Sequence, residues 1–225
     1  MPQPSPPYRT KYRTARTARS RRTARAARFH QTALPIIALL TLLSSCTSLN
    51  ITNYYHKHHY TLDGMARVYQ KAWRNRHFSI EFTDRSFDHV SLEFDTDTLI
   101  YIYEFAIGEP RMQDSILKYG YDTAAINNLI LNMQSMECTW IDDLDFYTDT
   151  TRHSLVYISL WPKAFNLPFA NKKYYILTYF SQPQYFDAEG NLMTGRRLRR
   201  IRKINGETFK KINDKVCYTI SAQFR

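Results

Sequence analysis

The sequence predicts an α+β fold, a mostly antiparallel sheet of about eight strands with two main helices. Three observations lead there. Short segments rich in β-branched and aromatic residues recur along the chain, several with strict apolar–polar alternation. Most are joined by turn chemistry too short for a helical crossover, which makes them hairpin partners. Apolar residues at three-four spacing, the helical period, are confined to a few stretches.

Leu62, Met65, Ala66, Tyr69, Ala72 and Trp73 follow that spacing and predict a helix from Thr61 to Asn75, with Thr61 as N-cap. Phe78, Ile80 and Phe82 alternate with Ser79 and Glu81 in a half-buried strand. Val90, Leu92 and Phe94 repeat the pattern. Leu99 to Ile107 reads as a third strand, broken by Gly108-Glu109-Pro110. Met112 to Tyr119 suits a short helix. Asp122 or Thr123 caps a better one, whose stripe is Ile126, Leu129, Ile130, Met133 and Met136. Cys138 to Ile141, Ser154 to Trp161 and Tyr174 to Phe180 read as strands, with Pro162 to Lys173 a long connection. Asp187 to Asn191 is a turn. Asn205-Gly206 suits a type I′ hairpin, where both residues adopt positive φ. Lys215 to Arg225 forms the last strand.

Three regions follow: a leader over residues 1–45, a polar tether over 46–60 and a single α+β domain over 61–225. The leader combines an Arg-rich arm with an uncharged apolar run from Ala33 to Leu43 and small residues at Ser44 and Ser45. That order is the pattern of a secretory signal. Eleven apolar residues at about 1.5 Å each cover roughly half of a ~30 Å hydrocarbon core, so the run is an address rather than a span. Leu43-Ser44-Ser45-Cys46 resembles the lipobox of bacterial lipoproteins. The resemblance implies cleavage by signal peptidase II and a mature chain that begins at an acylated Cys46. By that resemblance the cysteine carries a diacylglyceryl thioether and an amide-linked chain such as palmitate, and the membrane is a partner through that anchor. Thr47-Ser48-Leu49-Asn50 lacks an Asp after the cysteine and lacks an acidic run. By the same resemblance, the protein belongs to the cell envelope, on the outer membrane and facing the periplasm. The resemblance covers the leader and implies nothing about the domain behind it.

The arm alters the reading of charge. The formal net charge is +11, but nine Lys or Arg lie between Arg9 and Arg28, and no acid precedes Asp63. From Cys46 onward 22 basic residues face 20 acidic ones, an ordinary balance that argues against a nucleic-acid partner. The remaining charge is unevenly placed. Glu81 to Asp149 holds fifteen acids, and Thr150 to Arg225 holds fourteen bases. Paired across strands the two halves stabilise each other; kept apart they form a bipolar surface.

Few motifs carry chemistry. His56, His58 and His59 offer nitrogen ligands but sit in the expected tether without a nearby carboxylate. Asp142, Asp143, Asp145 and Asp149 offer hard oxygens, yet the glycine and terminal glutamate of a calcium loop are missing, so a solvated hairpin tip is expected. No metal ligand set, cofactor loop, nucleophile elbow or other catalytic residue is assigned. Arg196, Arg197, Arg199, Arg200, Arg202 and Lys203 form the densest basic cluster of the mature chain. It suits either an anionic lipid or glycan, or a solvated strand pair answering the acidic half. Tyr157, Tyr174, Tyr175, Tyr179 and Tyr185 either stack on sugar rings or cover a sheet face. With Cys46 taken by lipid, Cys138 and Cys217 either form a disulfide or remain two buried thiols. Two function classes remain. One is a lipid-anchored, non-enzymatic protein that binds an envelope partner, an immunity or inhibitor protein being one variant. The other is a lipid-anchored enzyme acting on envelope polymers.

Overall fold

The computed structural model describes residues 51–72, 76–148, 151–161, 173–194 and 200–222. Helix α1 occupies residues 51–72. Strands β1 (Phe78–Phe82), β2 (His89–Asp95) and β3 (Ile100–Ala106) form a meander. Helices α2 (Pro110–Lys118) and α3 (Thr123–Ser135) follow. The chain then returns through β4 (Cys138–Thr148), β5 (Thr151–Leu160) and β6 (Tyr174–Phe180). Short strands β7 (Lys203–Ile204), β8 (Glu207–Thr208) and β9 (Lys210–Lys211) precede β10 (Val216–Ser221).

Eight strands make one sheet in the order β3-β2-β1-β4-β5-β6-β10-β9, and every neighbouring pair is antiparallel. The fold is therefore α+β, dominated by an antiparallel sheet, with three helices among the described residues. Strand β4 re-enters beside β1, the free edge of the first meander, and joins two consecutive meanders into one sheet. Asn50–Arg225 forms one compact unit.

Strand period two divides the side chains between two cores. On the helix face Phe78, Ile80, Val90, Leu92, Phe94, Ile141, Ile158 and Leu177 pack against Leu62, Met65 and Tyr69 of α1 and the Ile126–Met133 stripe of α3. On the opposite face Trp140, Leu155, Tyr157, Ile176, Phe180 and Cys217 are covered by Leu192, Ile204 and Phe209. The β7–β8 hairpin turns at Asn205 and Gly206 with φ of 50° and 81°, the left-handed pair that a type I′ turn requires. Asp122 caps α3, its side chain accepting from the amides of Ala124 and Ala125 at 2.9 and 3.1 Å.

Residues 51–60 are not a tether but the first turns of α1. Ile51 and Tyr55 are buried, and the Tyr55 hydroxyl donates to Asp63 at 3.0 Å and accepts from Asn213 at 3.2 Å. The Cys138–Cys217 bridge is not formed; both thiols are free. Strands β5 and β6 lie between β4 and β10, and the two cysteines belong to different cores. A bridge across that separation is excluded by the ~7 Å reach of a disulfide between Cα atoms. The leader with Cys46, the Pro162–Lys172 connection and Arg196, Arg197 and Arg199 lie outside the described residues. No helix among the described residues is long and apolar enough to cross a membrane.

Candidate functional site

A concavity lies over the helical layer. The C-terminal turns of α1 (Val68, Lys71), Arg76, the α2–α3 link and the first turns of α3 enclose an open cleft of about 860 Å³. Its shape follows from the sequence. Gly120, at φ 76°, lets the chain reverse between α2 and α3, so that the link stands away from α1. Tyr119 and Tyr121 flank that glycine and are both buried. Tyr119 stacks on Phe94 at 5.0 Å, while the Tyr121 hydroxyl donates to the His77 carbonyl at 2.7 Å. The cleft therefore has an aromatic floor pinned to the sheet.

Three cations line it: Lys71, Arg76 and Lys118, all exposed. None of the three is in an ion pair among the described residues. Arg76 donates from Nη1 to the Tyr119 carbonyl at 3.4 Å, and the Lys118 ammonium sits 5.3 Å from the Tyr119 ring centroid. Asp122 is the one acid on the wall among the described residues, and its carboxylate is committed to capping α3. Converging positive charge over aromatic surface is the arrangement that holds an anion.

Behind the Tyr121 wall lies a second feature. His77 sits just before β1, where β1 and β4 diverge beyond the Ile80–Ile141 pair. Its Nδ1 is 2.6 Å from Asp143 Oδ1 and its Nε2 is 3.4 Å from Asp142 Oδ1. The Tyr69 hydroxyl is shared between the Phe78 carbonyl and Asp143, the latter at 3.0 Å. The hydrogen bond to Asp143 raises the His77 imidazole to about 9, against the opposing effect of burial. Burial pushes the Asp142 carboxyl up to about 7, although the neighbouring imidazolium favours its charged form. The three ligand atoms lie within 4.8 Å of one another and would suit a cation by spacing. A cationic imidazole already bonded to Asp143 makes the cluster an ion-pair lock between α1, β1 and β4 instead. None of His77, Asp142 and Asp143 lines the cleft.

The residues singled out in the sequence are distributed differently. Asp142 and Asp143 are not a solvated tip; they lie inside β4 with side chains 20% and 5% exposed. Asp145 pairs with Arg152 across β4–β5, through Nε at 2.9 Å. This is the one described ion pair that joins the acidic and basic halves of the chain. Asp149 lies outside the described residues. His56, His58 and His59 are on α1, where His59 Nδ1 meets the His56 carbonyl at 2.8 Å and His58 stacks near Tyr54. Of the basic cluster, Arg200 and Lys203 are exposed. Arg202 folds over Phe146 and Phe180, 4.4 and 5.7 Å from their centroids, and donates to Gln184. Burial lowers its pKa. The tyrosines form no platform: Tyr157 lies in one core, Tyr175 and Tyr179 in the other, and Tyr185 is exposed.

Lys71, Arg76 and Lys118 escaped sequence reading because 47 residues separate the first from the last. His77 is likewise isolated in sequence. The detectable signal was Asp142-Asp143, two adjacent carboxylates directly after the apolar pair Trp140-Ile141. Comparison with protein-family models, with curated proteins and with solved structures returns no match for this chain.

Proposed function

We propose that this chain is a lipid-anchored protein of the bacterial cell envelope whose domain binds an anionic ligand in the cleft between α1 and the α2–α3 link. The anchor reading rests on Leu43-Ser44-Ser45-Cys46 behind an apolar run too short to span. The binding reading is carried by one observation: three cations, none with a carboxylate partner among the described residues, converge on a concave wall with an aromatic floor. Its volume lies in the ~300–1,000 Å³ range of small-molecule sites. The role is binding rather than chemistry, because the cleft offers groups that hold charge. His77 and Asp142 are engaged with each other behind Tyr121 and do not line the cleft.

Anionic glycans fit this wall. Arg76 offers planar donors for a carboxylate or sulfate, and the lysines supply point charges. The test uses thermal unfolding and calorimetric titration of the full chain with a short uronic-acid oligosaccharide. Binding should raise the unfolding temperature and weaken steeply with salt. The Lys71→Gln/Arg76→Gln/Lys118→Gln variant should lose binding while unfolding at nearly the same temperature without ligand. Equal binding by the variant would assign the ligand to another surface.

A further inference from the structure

We infer that β3 is a docking edge for a second copy of this chain, the two β3 strands pairing antiparallel about a two-fold axis at Ile102. The pairing is independent of the anchor and of the cleft. The two ends of the eight-stranded sheet are finished differently. Strand β9 has two residues, both lysine, and its outer side is met by residues 190–192. There the Lys211 amide donates to the Gly190 carbonyl at 2.8 Å, and the Leu192 amide to the Phe209 carbonyl at 2.9 Å. Strand β3 runs seven residues, Ile100-Tyr101-Ile102-Tyr103-Glu104-Phe105-Ala106, in unbroken register with β2. It contains no proline, lysine or bulge, the devices that blunt an edge.

The Thr96 amide donates to the Leu99 carbonyl at 2.9 Å, and the Ile107 amide to the Asp88 carbonyl at 2.8 Å. Odd-numbered residues therefore turn their backbone to β2, and even-numbered ones turn it outward. At Ala106 both outward groups are taken by Glu109. Its amide donates to the Ala106 carbonyl at 3.0 Å, and its Oε2 accepts from the Ala106 amide at 3.2 Å. Ile100, Ile102 and Glu104 remain, each with an amide and a carbonyl that have no partner among the described residues.

A second β3 laid antiparallel with Ile102 on Ile102 sets Ile100 against Glu104 in both directions. Each facing pair then exchanges two hydrogen bonds, and every one of these groups is satisfied. Other registers fail. Axes at Ile100 or Tyr101 leave Glu104 beyond the end of the partner strand. An axis at Tyr103 sets Ile100 against Ala106, whose groups Glu109 holds, and one at Glu104 opposes two carboxylates. In the register at Ile102 each Glu104 lies beside an isoleucine. Its carboxylate is already turned back over the sheet, accepting from the Thr83 hydroxyl at 2.8 Å. Ile100 and Ile102, 59% and 66% exposed in the single chain, gain apolar cover. The strand is complementary to itself, as a two-fold interface requires.

The test uses the full chain in non-ionic detergent, its mass measured by sedimentation equilibrium up to roughly 0.1 mM. The expected result is a dimer for the unsubstituted chain and a monomer for Ile102→Lys, which sets two ammonium groups across the axis. Because Ile102 is exposed, the variant should unfold at nearly the unsubstituted temperature. On mild oxidation Ile102→Cys should form an interchain disulfide above the level of the unsubstituted chain, since facing Cα atoms lie ~5.5 Å apart. Ala106→Cys, well away from the axis, should not. A monomer throughout, a dimer that survives Ile102→Lys, or equal cross-linking at the two positions overturns the pairing.

Discussion

At the scale of single residues, the His77 lock sets a pH dependence. His77 rises from 6.5 to about 9 on folding, and Asp142 from 3.8 to about 7. Both groups bind protons more tightly in the folded state, so their contribution is lost as pH rises. The Asp142 share is complete below its unfolded value and disappears by about pH 7; the His77 share is complete below pH 6.5 and disappears through about pH 9. Asp84 and Asp187 act in the opposite sense, since their hydrogen bonds hold them below the usual carboxylate range and their contribution is lost on acidification. Stability should therefore decline between pH 6 and 9. His77→Gln should flatten that decline and destabilise by about 2–3 kcal/mol at pH 6, below the ~3–5 kcal/mol of fully buried pairs because the imidazole is 29% exposed. Urea unfolding across pH checks both; an unchanged slope in the variant would assign the dependence elsewhere.

Two buried side chains give further residue-scale expectations. Burial pushes the Cys138 thiol up to about 12 and raises Cys217 as well, so neither should react with iodoacetamide in the folded chain. Both should react after unfolding without reductant; a protected pair at that point would mean a disulfide. The buried Tyr157 hydroxyl has no hydrogen-bond partner among the described residues. Tyr157→Phe should therefore be neutral or stabilising by up to about 1 kcal/mol, measured by urea unfolding. A loss above that would reveal a hydrogen-bonded partner such as an internal water.

At the scale of elements, the strands were legible because their signal is local. Phe78-Ser79-Ile80-Glu81-Phe82 states its own alternation, and Asn205-Gly206 states its own turn. The α3 cap was equally readable, since Asp122 satisfies amides only two and three residues away. The start of α1 was not. Tyr54 to Tyr60 holds tyrosines and histidines, which suit a wet or a dry surface equally, and masks the stripe Ile51, Tyr55, Leu62, Met65 and Tyr69. The stripe is visible only once Tyr55 is known to face inward. Ile51→Ala should accordingly cost about 2–4 kcal/mol in urea unfolding, where the same change in a solvated tether costs nothing measurable. The candidate site was the least legible part. Lys71, Arg76 and Lys118 carry no shared motif, and only the packing of α1 beside the α2–α3 link brings them to one cleft.

At the scale of the whole molecule, the two faces of the sheet have separate tasks. The helical layer provides the cleft; on the other face Leu192, Ile204 and Phe209 close the second core over Trp140. The proposed mature chain is nearly balanced in charge, so attraction to anions depends on where cations converge rather than on the overall excess. The proposed place in the envelope depends on Cys46 being the point of attachment. The direct measurement is intact-mass analysis of the protein extracted from membranes of a bacterium that expresses the full chain. The expected result is a chain beginning at Cys46 with added acyl mass; an unacylated soluble product, or one that retains the Arg-rich arm, would contradict it.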